Sequence, residues 1–163
     1  MTQRLLFGIK GIYCEQTSRV DIYARKLADR HYSRKHVGTK DFIGPGRSFV
    51  LIGDKRVWGA RICKYRLDGL AGIECCIFRN ESTILSSLLI NEAIKLTRIF
   101  FGNYPIFTYV NPKKIKSVNP GYCFKKAGFK QMSRTSKINK LILLINQNNE
   151  NESLTTPPIL SGT

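Results

Sequence analysis

Three short segments concentrate the residues that can do chemistry. The first is DRHYSRKH, residues 29–36. His31 titrates near neutrality and can act as a general base or acid, with Tyr32 and Arg34 directly after it. A histidine on the apolar side of a helix is as readily a hydrogen-bonded core residue, and both readings stand. The second segment is FRNES, residues 78–82, with Arg79, Asn80 and Glu81 at a strand end. Arginine offers a planar fork for phosphate, asparagine a paired donor and acceptor, and glutamate a base or an orienting acceptor. The alternative is a solvated ion pair.

The third segment, TYVNPKKIKSVNPGYCFKKAGFK, spans residues 108–130 and holds six lysines among two Tyr and two Phe. Lysines interleaved with aromatic rings suit phosphate contact combined with base stacking. Lys113, Lys114, Lys116, Ser117, Asn119, Tyr122 and Lys125 form this candidate nucleic-acid face, with Arg34 from the first segment. Asn111 opens it. His31 and His36 share no carboxylate at ligand spacing, so no metal site is expected.

These segments need a frame. Residues 18–32 read as a helix with a capping-box start at Ser18 and Asp21, carrying Tyr23, Leu27 and His31 on one face. Strands follow at 48–53, 56–64 and 72–79. Residues 84–100 form the clearest helix, ended by Gly102, with Ser82 and Thr83 available as caps and Leu96, Ile99 and Phe100 as core. PIFTYVN, residues 105–111, is a buried-type strand. Asn119-Pro120-Gly121 starts a short helix that stops at Gly128, and strands at 129–135 and 140–145 close the chain. The order predicts one α+β domain over 1–145. Residues 146–163 are polar and aperiodic and read as a disordered tail.

Charge narrows the partners. The chain has 27 Lys and Arg against 11 Asp and Glu, a net +16, and two of the acids fall in the tail. Such an imbalance raises self-repulsion and points to a polyanion, with nucleic acid the usual one; a merely solubilising charge is the plainer alternative. Five cysteines without a CxxC pair fit a reducing compartment, and Cys75 and Cys76 should point to opposite faces of a strand. No signal peptide or membrane span is evident, so a cytoplasmic protein is expected.

The element order resembles the GNAT acyltransferase fold, in which middle strands splay and the acyl donor enters the V between them. Enzymes of that kind that use acyl-CoA have a glycine-rich pyrophosphate loop before the long helix. Here that position reads FRNESTILSS, without glycine. RHYSRK, FRNES, LSSLLINEA and the 108–129 segment together resemble the Mom DNA-modification proteins of Mu-like bacteriophages, a divergent GNAT-like group, over about residues 19–145. The resemblance implies a transferase that converts adenine N6 in DNA to a carbamoylmethyl derivative, protecting phage DNA from restriction. It singles out His31, Tyr32, Glu81 and Asn111 as catalytic and Arg79, Asn80, Ser86 and Ser87 as donor-binding. Lys113, Lys114, Ser117, Asn119, Gly121 and Cys123 also match. Many members have Asp at the position of Asn111, which would leave proton transfer to Glu81 or His31. The family product adds two carbons, an oxygen and a nitrogen; glycyl-tRNA supplies them all, whereas acetyl-CoA brings no nitrogen. Acyl-CoA and iron are alternative cofactors for the family, and no ligand set here requires iron. Two other readings are a CoA-dependent N-acetyltransferase and a non-enzymatic DNA-binding phage protein.

Overall fold

A computed structural model describes residues 8–135 and 141–147. Its frame is a seven-stranded sheet: β1 (Glu15–Thr17), β2 (Arg47–Gly53), β3 (Arg56–Ile62), β4 (Ile73–Asn80), β5 (Ile106–Val110), β6 (Lys130–Thr135) and β7 (Ile142–Asn146). The spatial order is β1-β2-β3-β4-β5-β7-β6. All neighbours pair antiparallel except β4 and β5, which run parallel. That pair is matched only at Ile73–Ile106 and Glu74–Phe107. Beyond it the strands part, leaving a V in the middle of the sheet.

A bulge sits where the sheet opens. Gly59 of β3 faces Ile77 and the next residue, Ala60, faces Cys75, so Cys76 has no partner on β3. An extra residue of this kind bends a strand and re-aims the side chains beyond it. Cys75 therefore joins the core on one face with Trp58, while Cys76 and Ile77 both join the other with Val57. The opposite-face expectation for the two cysteines is met. The bulge needs Gly59, because a Cβ there would lie 2.4 Å from Ile43 and 2.9 Å from Ile77.

Helix α1 (Ile22–Asp29) and the loop residues Phe42 and Ile43 cover one face through Ala24, Leu27 and Ala28. Asp21 alone caps α1, accepting from the Ala24 N–H, and Ser18 bonds Val20 instead. The helix ends three residues short of the expected boundary. Tyr23, at the start of the helix, is half exposed, its hydroxyl accepting from the Lys55 N–H.

Helix α2 (Ser86–Phe101) packs on the opposite face with Leu89, Ile90, Ala93, Ile94 and Leu96. Trp58 is buried there and donates through Nε1 to Thr97 at 3.0 Å. Ile99 is 69% exposed, a correction to its expected core role. Leu85 occupies the N-cap without a side-chain bond, so neither Ser82 nor Thr83 caps this helix. Helix α3 (Tyr122–Lys126) follows Gly121, whose φ of 77° favours glycine and whose absent Cβ leaves room for Leu144. Asn146 ends β7 inside the fold, where Arg98 binds it, so the domain extends past 145. The expected tail from 148 onward lies outside the described residues.

Candidate functional site

The V is occupied by a cavity of about 830 Å³. Its walls come from both faces of the sheet. His31, Tyr32, Glu74, Cys76 and Tyr109 line it from the α1 side, and Cys75, Phe78, Thr108, Tyr122 and Phe124 from the α2 and α3 side. The cavity thus passes through the plane of the sheet. At its apex the Thr108 hydroxyl donates to the Cys75 carbonyl at 3.0 Å, a last cross-link where the backbone ladder has stopped.

The turn after α1 delivers the histidine and tyrosine. The His31 N–H bonds Ala28 O and the Arg34 N–H bonds His31 O, which folds the chain back on the helix end. Arg34 locks the turn through Asp29 at 3.0 Å and through His36 O and Thr39. Its guanidinium is spent on the loop rather than aimed at a polyanion, which corrects the expected nucleic-acid role. His31 and Tyr32 stack with ring centroids 4.4 Å apart. The Tyr32 hydroxyl accepts from the Asn111 N–H at 3.3 Å, so it joins the α1 turn to the end of β5. Burial pushes the Tyr32 phenol up. Burial, with the Arg79 charge adding, lowers His31 to about 4, so the ring is neutral near pH 7.

Asn111 lies in the cavity wall, but its Oδ1 accepts from the Lys113 N–H and fixes the turn that starts the lysine segment. Lys113, Lys114 and Lys116 are exposed, and Lys114, Ser117, Asn119 and Tyr122 line the cavity mouth. Lys125 instead donates to Asn119 Oδ1 at 2.8 Å and supports the loop from behind.

The FRNES cluster is placed differently: Arg79, Asn80 and Glu81 do not line the cavity. Glu81 receives Arg30 at 2.8 Å and Arg79 at 2.5 Å, and these two guanidinium groups hold its carboxyl at about 2. A carboxylate so stabilised is a poor proton acceptor, so a base role does not fit Glu81. Arg79 also donates to Arg30 O. Asn80 turns to the opposite face, donating to Ile84 O and Ser86 Oγ and accepting from the Ser82 N–H. Ser86 is therefore Asn80's partner. Ser87 has no described contact and stands outside the cavity.

Glu74, Cys76, Thr108 and Phe124 were absent from the sequence-based site. Thr108 carried the one available signal, a hydroxyl in the middle of a buried-type strand. Glu74 is held by Arg61 at 2.9 Å and by Arg66. Tyr109 donates to Asp68, whose carboxyl Arg66 holds well below the usual range. Burial raises all three cavity thiols, Cys75, Cys76 and Cys123, which therefore stay protonated and are weak nucleophiles. Among the described residues there is no cluster of three or more metal-ligating side chains, and no helix is long and apolar enough to cross a membrane.

This architecture is that of the GNAT fold, an α+β layout with a mixed sheet parted between its central strands. A solved structure from Bordetella pertussis, assigned to the GnaT family of acetyltransferases, superposes with a TM-score of 0.54 over 86% of this chain and 99% of that one, at 9% identity. No protein-family model matches the sequence, and no curated protein does.

Acyl-CoA, one of the cofactors the sequence resemblance implies, can be tested against the residues present. The V holds the cavity described above. In the turn before α2, Glu81 N–H bonds Lys55 O, Ser82 N–H bonds Asn80 and Ile84 N–H bonds Ser82, whereas the helix start itself has no side-chain cap. That turn offers no glycine cradle.

Proposed function

We propose that the protein transfers an acyl group from an activated donor seated in the V to an amine. The observation that carries this is the cavity between β4 and β5, lined from both faces of the sheet, which can take a donor and an acceptor side by side. In such a transfer the amine nitrogen attacks the carbonyl carbon, and collapse of the adduct expels the leaving group, which takes the proton the amine gives up.

For the acceptor we propose adenine N6 in DNA. The exposed Lys114 at the cavity mouth, the exposed Lys113 and Lys116 beside it in sequence, the half-exposed Tyr122 ring and the +16 charge support it, together with the sequence resemblance. The donor is glycyl-tRNA. Attack of N6 on the glycyl ester forms the C–N bond and releases the tRNA hydroxyl. The glycyl amine then adds to C6 while the original nitrogen leaves it, which yields N6-carbamoylmethyladenine with no oxidant. The lack of glycine in the turn before α2 supports a donor other than CoA. Within this reading Tyr32 and Asn111 hold the wall between the α1 turn and β5, and restriction resistance is the consequence for the modified DNA.

A CoA-dependent N-acetyltransferase is the second reading, favoured by the class to which the Bordetella protein is assigned. Nucleoside mass spectrometry on DNA from expressing cells separates the two. An adenosine heavier by carbamoylmethyl, dependent on tRNA and carrying glycine nitrogen, is expected. Unmodified adenosine, with CoA bound tightly and acetyl passed to a simple amine, would sink the DNA reading. Replacing Lys113 and Lys114 by Ala should lower the slope of log K for DNA against log salt by about 2; an unchanged slope removes this face from binding.

A further inference from the structure

His31 meets the cavity with one ring nitrogen already taken. Its Nδ1 lies 3.2 Å from the Ser33 backbone N and 2.8 Å from Ser33 Oγ. A backbone N–H can only donate, so Nδ1 must be the acceptor, and in the neutral ring the proton then sits on Nε2. Stacking on Tyr32 fixes the ring plane, and the Ala28 carbonyl fixes the turn that carries it. The tautomer is therefore set by main-chain geometry before any substrate arrives.

That assignment conflicts with a base role. A base needs a lone pair facing the substrate, and the lone pair here faces Ser33. We propose that His31 is a neutral hydrogen-bond donor, presenting Nε2–H to the carbonyl oxygen of the acyl donor in the V. The inference rests on acyl transfer as the reaction and gives this ring a new part in it. As the amine nitrogen bonds to the carbonyl carbon, the carbonyl π pair moves onto oxygen, and the Nε2–H bond to that oxygen strengthens. When the leaving group departs, the pair returns, the amine's proton ends on the leaving group, and His31 still holds its own. A neutral ring suits this task, because it keeps its proton and needs no charge in a desolvated wall. Removing one such donor typically slows acyl transfer by about 10²–10³.

Two measurements test this. In the full-length protein with His36→Gln, only one histidine remains, and its ¹⁵N shifts at neutral pH should report a bare Nδ1 and a protonated Nε2. For activity, adenine modification in expressing cells is compared between His31→Gln and His31→Ala, both checked for folding by thermal melts. The glutamine amide places an N–H near the Nε2 position, so it should keep activity within about tenfold while alanine loses about a hundredfold or more. Equal loss in both variants overturns the donor role in favour of base catalysis or a structural histidine. A protonated Nδ1 overturns this inference alone. Absence of any acyl transfer by the wild type, to DNA or to simple amines, overturns the reading beneath it as well.

Discussion

The turn at residues 30–33 and the strand end at 79–81 carry equally suggestive side chains in sequence, yet they meet opposite fates. His31 and Tyr32 are drawn into a cavity wall, where burial keeps them uncharged. Arg79 and Glu81 stay at the surface, fully charged, and bond to each other and to Arg30. A site that must act on a ligand keeps hydrogen-bonding capacity in reserve, as the His31 ring does. A cluster that has used its capacity internally is a clasp. Arg30, Arg79 and Glu81 clasp the end of α1 to the end of β4.

The comparison can be broken by exchange. The largest contrast should be in activity: His31→Ala is expected to lose about a hundredfold, whereas Glu81→Gln stays within about tenfold of wild type. The reverse order in nucleoside mass spectrometry would move the chemistry to the strand end. Next comes pH. The folded state holds His31 at about 4, below its ordinary 6.5, so the unfolded chain binds the extra proton between those values. Stability should rise with pH across that window, be complete above it, and fall as pH drops. The effect is on the order of 3 kcal/mol, and urea midpoints of His31→Gln should lack it. Glu81 runs at a lower range: its contribution is present above 4.5 and fades only as pH falls toward about 2.

Smaller again is Tyr32→Phe, which leaves the Asn111 N–H without its acceptor and should destabilise by about 1–3 kcal/mol. No change in the denaturation midpoint would mean that solvent takes over the bond. Last, Glu81→Gln should barely move the melting temperature, because exposed ion pairs contribute little; a large drop would make the clasp a stability element.

The frame was legible because its signals are local. The apolar spacing of Leu89 and Leu96, the Gly102 stop and the period of β2, β3 and β5 all operate within a few residues. Strand β1 escaped notice since three residues, Glu15–Thr17, carry no period. The end of α1 was misplaced because apolar spacing continues to His31, whereas Arg34 pairs with Asp29 and folds the following chain into a turn. Within the site, residue types were readable and engagement was not. Nothing local announces that Asn80 will fill the turn before α2, or that Ser33 will occupy one nitrogen of His31. Those outcomes depend on contacts that exist only after the chain has folded.

The unpaired Cys76 also acts as a parity switch. Ahead of it, the even-numbered Glu74 and Cys76 look toward α1; after it, the odd-numbered Ile77 and Arg79 do. Deleting this single residue would restore simple alternation while leaving Ile77, Phe78 and Arg79 on the faces they already occupy. Phe78 would keep Trp58 and Phe124, and Arg79 would keep Arg30, but the bend that the extra residue puts into β4 would be lost. Substitutions at this position and a one-residue deletion are therefore different kinds of change. The first alters a wall of the cavity, while the second straightens the strand that builds it.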